Sequence, residues 1–485
     1  MIAEQIGQPV GHRDPSSIWG DEAEVVADAF AWATNHASRA SDPKTTARPA
    51  QEIAARVGRT ITPEGIGHRE ALRLFEQELV PATRAMDDPM NLAYIPAAPT
   101  RAAVSFDAAV SSANVFGGMW ESGAGAIYAE NQAIAWLVEL LGWPETAGGC
   151  FVSGGTTGNL SAMAAARHEA RRQAGGARPR GGWKLACTAA AHSSIKSAAD
   201  LLDADVIEVE PDERGHLTAA GLREAFKWHP DIFLVVASAG TTNAGVVDDL
   251  NDIADVCDEH HAWFHVDGAY GGAGLVAPSV RERYRGIERA DSFIVDPHKW
   301  LFAPYDCCAL IYKFPEYATA AHSQRASYLD MIDRGEWNPS DLAAHLSRRV
   351  RGLPFWYSLA THGTDRYTAA VEKTLSTARE VTEAIRDMDH LKLVLEPELS
   401  VVLFRRPGWG EEDYARWSKK LALDGVILCI PTKHLGETVL RLAFVNPETD
   451  PQKVIDVLAT TMLEEHPAGP DEGRDTSGMP DVVDQ

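Results

Sequence analysis

Asp291-Ser292-Phe293-Ile294-Val295-Asp296-Pro297-His298-Lys299-Trp300-Leu301 is a short apolar run that breaks into polar chemistry. Residues 293–295 have the length and β-branched content of a buried strand, and Pro297 marks its end. A lysine at the mouth of such a strand, between proline and tryptophan, is badly placed for a solvated surface role. Similar runs recur on both sides, at residues 150–152, 206–209, 232–237, 263–266 and 309–312, alternating with helical stretches. That alternation predicts βα units and a mostly parallel sheet buried on both faces, spanning residues 91–361.

In open parallel sheets, ligands bind beyond the carboxyl ends of the strands, so the residues just after each run matter most. After Val152 comes Ser153-Gly154-Gly155-Thr156-Thr157-Gly158-Asn159, leading into a helix. Its glycines allow close backbone approach and its free N–H groups suit a phosphate. After Ala186 comes Ala191-His192-Ser193-Ser194, and after Val236 the hydroxyl-rich Ser238-Ala239-Gly240-Thr241-Thr242. After Val266 comes Asp267-Gly268-Ala269-Tyr270-Gly271-Gly272, whose carboxylate is costly to bury unless it faces a cation. A phosphate turn, a carboxylate and a lysine on three strand exits of one sheet are the three parts that pyridoxal phosphate (PLP) requires. Desolvation and neighbouring cations are expected to lower the Lys299 pKa and so supply a neutral amine.

The rest of the chain is organised around that sheet. Residues 1–90 read as strandless helices, with Val25, Ala29, Trp32 and Ala33, then Ile53 and Val57, then Leu72, Leu74 and Leu79 at helical spacing. Residues 362–466 predict a smaller α+β domain, with strands at 391–395, 401–404, 426–430 and 439–445. Residues 467–485, poor in apolar anchors, read as a mobile tail. Of the 485 residues, 69 are acidic and 45 basic, a formal net charge of −24. That excess argues against nucleic acid and anionic membrane surfaces as partners. No secretory signal is legible before Ser17, and no stretch reaches the ~18 apolar residues a membrane span needs. The six cysteines, including the vicinal Cys307 and Cys308, follow no staple or metal spacing, so a cytoplasmic protein with reduced thiols is expected. His260, His261 and His265 straddle a helix end and a strand, so no metal site is expected.

The runs from Ala191 to Ser194, from His265 to Gly272 and from Asp291 to Leu301 together resemble the group II PLP-dependent amino-acid decarboxylases, the family of aromatic-L-amino-acid and glutamate decarboxylases. The resemblance implies the fold type I, aspartate-aminotransferase-like architecture, with a large PLP-binding α/β domain, a small C-terminal domain and a helical N-terminal segment that wraps a second subunit. It implies that Lys299 carries PLP as a Schiff base, that Asp267 pairs with the ring nitrogen, and that His192 and Ala269 contact the two faces of the ring. Thr156 and Thr157 would help hold the phosphate, with His298 and Thr242 nearby. Lys299, His192 and Asp267 would be the catalytic set. The expected reaction is decarboxylation of an L-amino acid, aromatic by preference, to the amine and CO2. Tyr94, Pro96 and Trp120 would line the substrate pocket, partly across a homodimer with shared active sites. Glu121 would meet an amine-bearing side chain or pair in the dimer interface, and Arg441 is read as structural.

One element departs from the family. Its mobile loop brings a tyrosine that protonates the carbanionic intermediate, yet no tyrosine occurs between Asp330 and the twin arginines Arg348-Arg349. Tyr328 precedes the loop and is read as structural, leaving His192 or water as donor. Relatives without that tyrosine can deaminate oxidatively to an aldehyde, so an aldehyde synthase stands as the alternative, ahead of an aminotransferase or a non-catalytic protein of this fold.

Overall fold

The computed structural model describes residues 22–96, 98–323 and 337–465. Tyr328, residues 330–336 of the loop and the expected tail at 467–485 lie outside the described residues. The helical spacing near the N-terminus is realised as α1 (Ala23–Ala37), α2 (Ala50–Val57) and α3 (His68–Leu74). Trp32 of α1 stacks on His36 and meets Phe75 edge-on, yet Leu74 is the single buried residue of the three helices. These helices belong to one compact unit, which includes Thr45–Arg84; Ser41–Lys44 and the chain from Ala85 onward form the other.

The second unit holds two sheets. The larger contains β1 (Gly148–Val152), β2 (Trp183–Cys187), β3 (Ala204–Glu208), β4 (Ile232–Ser238), β5 (Trp263–Asp267), β6 (Ser292–Val295) and β7 (Cys308–Tyr312), in the order β1-β7-β6-β5-β4-β2-β3. The β3-β2-β4-β5-β6 pairings are parallel, as expected, but β7 runs antiparallel to both its neighbours. Between β6 and β7 the chain contains only one helical turn, too little for the crossover that a parallel return demands.

Alternate residues of these strands enter opposite cores, since successive side chains point to opposite faces. Phe264, Val266, Phe293, Val295 and Cys307 lie on one face, and Trp263, Ile294, Cys308 and Leu310 on the other. The helices before this sheet are α4 (Arg101–Ala113) and α5 (Trp120–Leu141). Within it come α6 (Gly155–Gln173), α7 (Ser193–Leu201), α8 (Ala219–Trp228), α9 (Leu250–His260), α10 (Pro297–Trp300) and α11 (Pro315–His322). α5, α8 and α9 cover the first face, and α6, α7 and α11 cover the second. The six cysteines are all buried and none is in a disulfide.

Beyond α12 (Leu353–His362) and α13 (Thr364–Asp387), the smaller sheet comprises β8 (Lys392–Leu395), β9 (Val401–Arg405), β10 (Ile430–His434) and β11 (Glu437–Ala443), antiparallel in the order β10-β11-β9-β8. α14 (Glu411–Leu423) and α15 (Pro451–Thr461) complete it. One expected strand is displaced: of residues 426–430 only Ile430 is in β10, while Leu428 makes a single parallel bridge to Asn91. The two-residue turn Leu435-Gly436, both at positive φ, fixes the His434–Glu437 pairing, and the ladder counted back from it covers the polar 430–434. β10 is an edge strand, which is why it accommodates Pro431. No helix among the described residues is long and apolar enough to cross a membrane.

Candidate active site

The carboxyl ends of β1, β4, β5 and β6 open on a cavity of about 260 Å3. It is lined by Thr156, His192, Thr242, Asp267, Ala269, His298 and Lys299 of the expected set, together with Ser153, Asn159, Tyr270, Asp296, Tyr305 and Asp306. Thr157 stands just behind this wall, its hydroxyl 3.0 Å from that of Ser153. Tyr94, Pro96 and Trp120 do not line the cavity. Tyr94 is exposed, its carbonyl accepting a bond from the buried Arg441 (2.5 Å), and the Trp120 amide donates to Asn338 (2.8 Å).

α6 starts at Gly155 with no side-chain cap, so its first amides are left to face the cavity. The helix lies very close to the sheet: a Cβ on Gly158 would stand 2.9 Å from Ile294 Cγ2 and 3.2 Å from Cys308 Sγ. One turn in, the buried Asn159 uses both ends of its amide. Its Nδ2 donates to Asp267 Oδ2 (2.9 Å) and to Ser194 Oγ (3.0 Å), while its Oδ1 lies 2.9 Å from His265 Nε2.

The donors in this network run in one direction. Trp263 Nε1–H donates to Ser292 Oγ, Ser292 to His265 Nδ1, and His265 Nε2–H to Asn159, all within 2.9 Å. From Asn159 the line continues through Ser194, whose hydroxyl and amide both address His192 Nδ1 at 2.8 and 3.2 Å. His192 Nδ1 is therefore an acceptor, and the neutral ring carries its proton on Nε2. Burial pulls His265 down to about 4, which keeps that relay neutral. Asp267 Oδ1 accepts the Ala269 amide (3.0 Å), so both its oxygens are held.

Lys299 is on the single turn of α10, with Nζ 3.0 Å from Asp296 Oδ2. The expected lowering of its pKa is reversed. Burial does push it down, but Asp296 and then Asp267 outweigh burial, and the lysine is held above its ordinary value. Asp296 responds in kind: burial raises it, yet Lys299 and His298 hold it below the usual carboxylate range. The sequence suggested neighbouring cations around Lys299, whereas the fold surrounds it with carboxylates. His298 is kept neutral by burial, with Nδ1 2.7 Å from the Cys307 carbonyl.

Asn159, Ser194, Asp296 and Tyr305 were not assigned roles from sequence. Asn159 had a signal: it shares a helical face with Ala162, Met163 and Ala166, where a polar side chain needs a buried partner. His265 is in this network, and His260 stacks on Phe226 with centroids 4.0 Å apart.

Residues 69–406 match the family described as the pyridoxal-dependent decarboxylase conserved domain. Aromatic-L-amino-acid decarboxylase of Bacillus atrophaeus is 29% identical over 416 residues, 82% of this chain and 86% of that protein. L-2,4-diaminobutyrate decarboxylase of Rhizobium meliloti is 29% identical over 428 residues, 84% and 85% of the two chains. The crystal structure of Oryza sativa TDC with PLP and tryptamine has the same fold, with a TM-score of 0.84 at 23% identity, covering 93% of this chain and 100% of that one.

Proposed function

The chain belongs to the pyridoxal-dependent decarboxylase family, and on that premise we propose that this PLP-dependent carboxy-lyase converts an aromatic L-amino acid to its amine and CO2 at the cavity around Lys299. What carries the proposal is the convergence of a lysine, a fully hydrogen-bonded carboxylate and an uncapped helix N-terminus on one cavity. These parts fit the cofactor: Lys299 would anchor it covalently, Asp267 would face its ring nitrogen, and the α6 amides with Thr156 and Thr157 would hold its phosphate. Bound there, PLP supplies the electron sink for the pair left when the carboxylate departs.

The chain's own groups do the rest. Asn159 and Ala269 hold both oxygens of Asp267, which keeps its charge directed into the cavity. Ser194 fixes the ring of His192, leaving Nε2–H to orient the substrate or to deliver a proton to Cα. His192 and Ala269 line the cavity and would bracket the ring of the cofactor, with Thr242 and His298 also in the wall. The aromatic preference is supported by the Bacillus relative and by Tyr305 in the cavity lining; the Rhizobium relative makes a diamino acid the rival.

A homodimer accounts for two further observations. Tyr94, Pro96 and Trp120 lie outside this chain's own cavity, and the N-terminal unit exposes Val25, Val26, Phe30, Ile61, Phe75 and Leu79. The test is CO2 release across the twenty amino acids, with products identified by mass spectrometry and sedimentation run on the same preparation. Amine from an aromatic substrate is expected from a yellow dimer, and Lys299→Ala should abolish both colour and turnover. Release from diaminobutyrate alone would overturn the substrate class, and aldehyde with ammonia and peroxide would replace the reaction by oxidative deamination.

A further inference from the structure

Asp296 is the buried carboxylate of the cavity lining to which the mechanism above gives no task. Its side chain is 2% exposed, Oδ2 lies 3.0 Å from Lys299 Nζ and 3.7 Å from His298 Nε2, and Oδ1 has no hydrogen-bond partner. It also abuts the helix that would grip a phosphate, since a Cβ on Gly155 would stand 3.3 Å from Oδ2. A buried carboxylate beside an anion cradle is an electrostatic conflict, because two neighbouring anions in a low-dielectric site cannot both keep full charge without cost. Lys299 presents the complementary conflict. Held as an ammonium, it has no lone pair with which to attack an aldehyde.

We propose that one proton resolves both conflicts: Asp296 takes the proton that Lys299 loses on capturing the cofactor, and the neutral carboxyl then tolerates the phosphate at the N-terminus of α6. This rests on the assignment of Lys299 as anchor and α6 as phosphate cradle. In the step, one ammonium proton moves from Nζ to Asp296 Oδ2. The freed lone pair bonds to the aldehyde carbon, the carbon–oxygen bond breaks, and the two hydrogens left on nitrogen depart with that oxygen as water. A carbon–nitrogen double bond remains.

Other acceptors are disfavoured by their surroundings. Both oxygens of Asp267 are already engaged by Asn159 and Ala269, and His298 is buried with Nδ1 committed to Cys307. The groups facing Asp296 are Lys299 and His298 of α10 and the Cys308 thiol of β7; Asp267 of β5 acts on it through Lys299, and α6 brings Gly155 against it. None but Lys299 is a cation at neutral pH, so a phosphate arriving without the proton shift meets a charged carboxylate.

The test uses the full chain freed of cofactor and 4-deoxypyridoxine 5′-phosphate, which has the phosphate and ring but no aldehyde. Calorimetry at pH 8 in two buffers of different ionisation enthalpy should show wild type taking up about one proton more than Asp296→Asn, and wild-type affinity should fall about tenfold per pH unit. Asp296→Asn should bind this analogue more tightly at pH 8. With PLP itself in place of the analogue, wild type should release no proton to solvent on capture, since the ammonium proton stays on Asp296. Equal proton uptake on binding of the analogue by the two proteins, or a proton released to solvent when wild type captures PLP, would overturn the proposal. If the variant does not fold, wild type decides alone: an affinity flat between pH 7 and 9 sinks it. No binding of the analogue at any pH would instead defeat the cofactor assignment on which it rests.

Discussion

Asn159 has a donor end and an acceptor end, and in a buried site both must be used. The donor end holds Asp267 and Ser194, and the acceptor end takes the proton of His265. Asn159→Ala would strand the His265 N–H and one oxygen of Asp267, at a cost of about 2–4 kcal/mol, read as a lower urea midpoint. Because Ser194 then orients His192 less firmly, turnover should drop by about 10²-fold with little change in cofactor colour. An unchanged rate would detach His192 from this network. The places of Lys299, Asp267 and His192 at the cavity were legible in the sequence because each comes within a few residues of the end of an apolar run that reads as a strand. The apolar face that carries Asn159 was legible too, but its partners were not, because those on α7 and β5 are distant in sequence and meet it only across the folded sheet. The charge state of Lys299 was misjudged for the same reason: Asp296 is visible three residues away, but its direction and burial are properties of the folded strand exit.

On the proposed assignment, α6 would carry sheet packing through to the grip on the cofactor's phosphate. Its glycine at 158 lets the helix approach β6 and β7, and that approach fixes where the first-turn amides point. Gly158→Ala would force a methyl against Ile294 and Cys308, a strain of about 1–3 kcal/mol relieved by tilting the helix outward. Both the melting temperature and PLP affinity should fall, the latter by roughly tenfold or more as the amides shift. A loss of stability with unchanged affinity would show that the first turn is held independently of the packing. At this scale the strands were readable because both faces of the sheet are buried, so they stand out as continuous apolar runs. Strand direction and edge position left weaker marks. The reversed β7 betrays itself only by a short connection, and β10 is polar with a proline because it is an edge.

Across the second unit, Glu398 joins the two sheets' surroundings. It accepts the Val247 amide at 3.0 Å, Arg214 at 3.0 Å and His216 at 2.8 Å, and two residues on Ser400 meets the hydroxyl of Tyr270 in the cavity wall. His216 also has Asp212 on its other nitrogen, and Glu398 first and Asp212 after it raise its pKa to about 9. A histidine raised above its unfolded value stabilises fully below about 6.5, and that contribution disappears as pH climbs through about 9. Unfolding free energy should therefore fall by about 1–2 kcal/mol between pH 7 and 10, after discounting for partial solvent screening, and His216→Gln should flatten that slope. Burial raises Asp248 to about 7, so its loss of stability with rising pH is largely spent before this window opens. The α/β class, the family and the strand exits that line the cavity could be read along the chain, because local patterning and short motifs are written in neighbouring residues. Which carboxylate meets Lys299, which tautomer His192 holds and which groups Glu398 gathers emerge on folding alone, because burial and charge pairing are set by residues brought together from far along the chain.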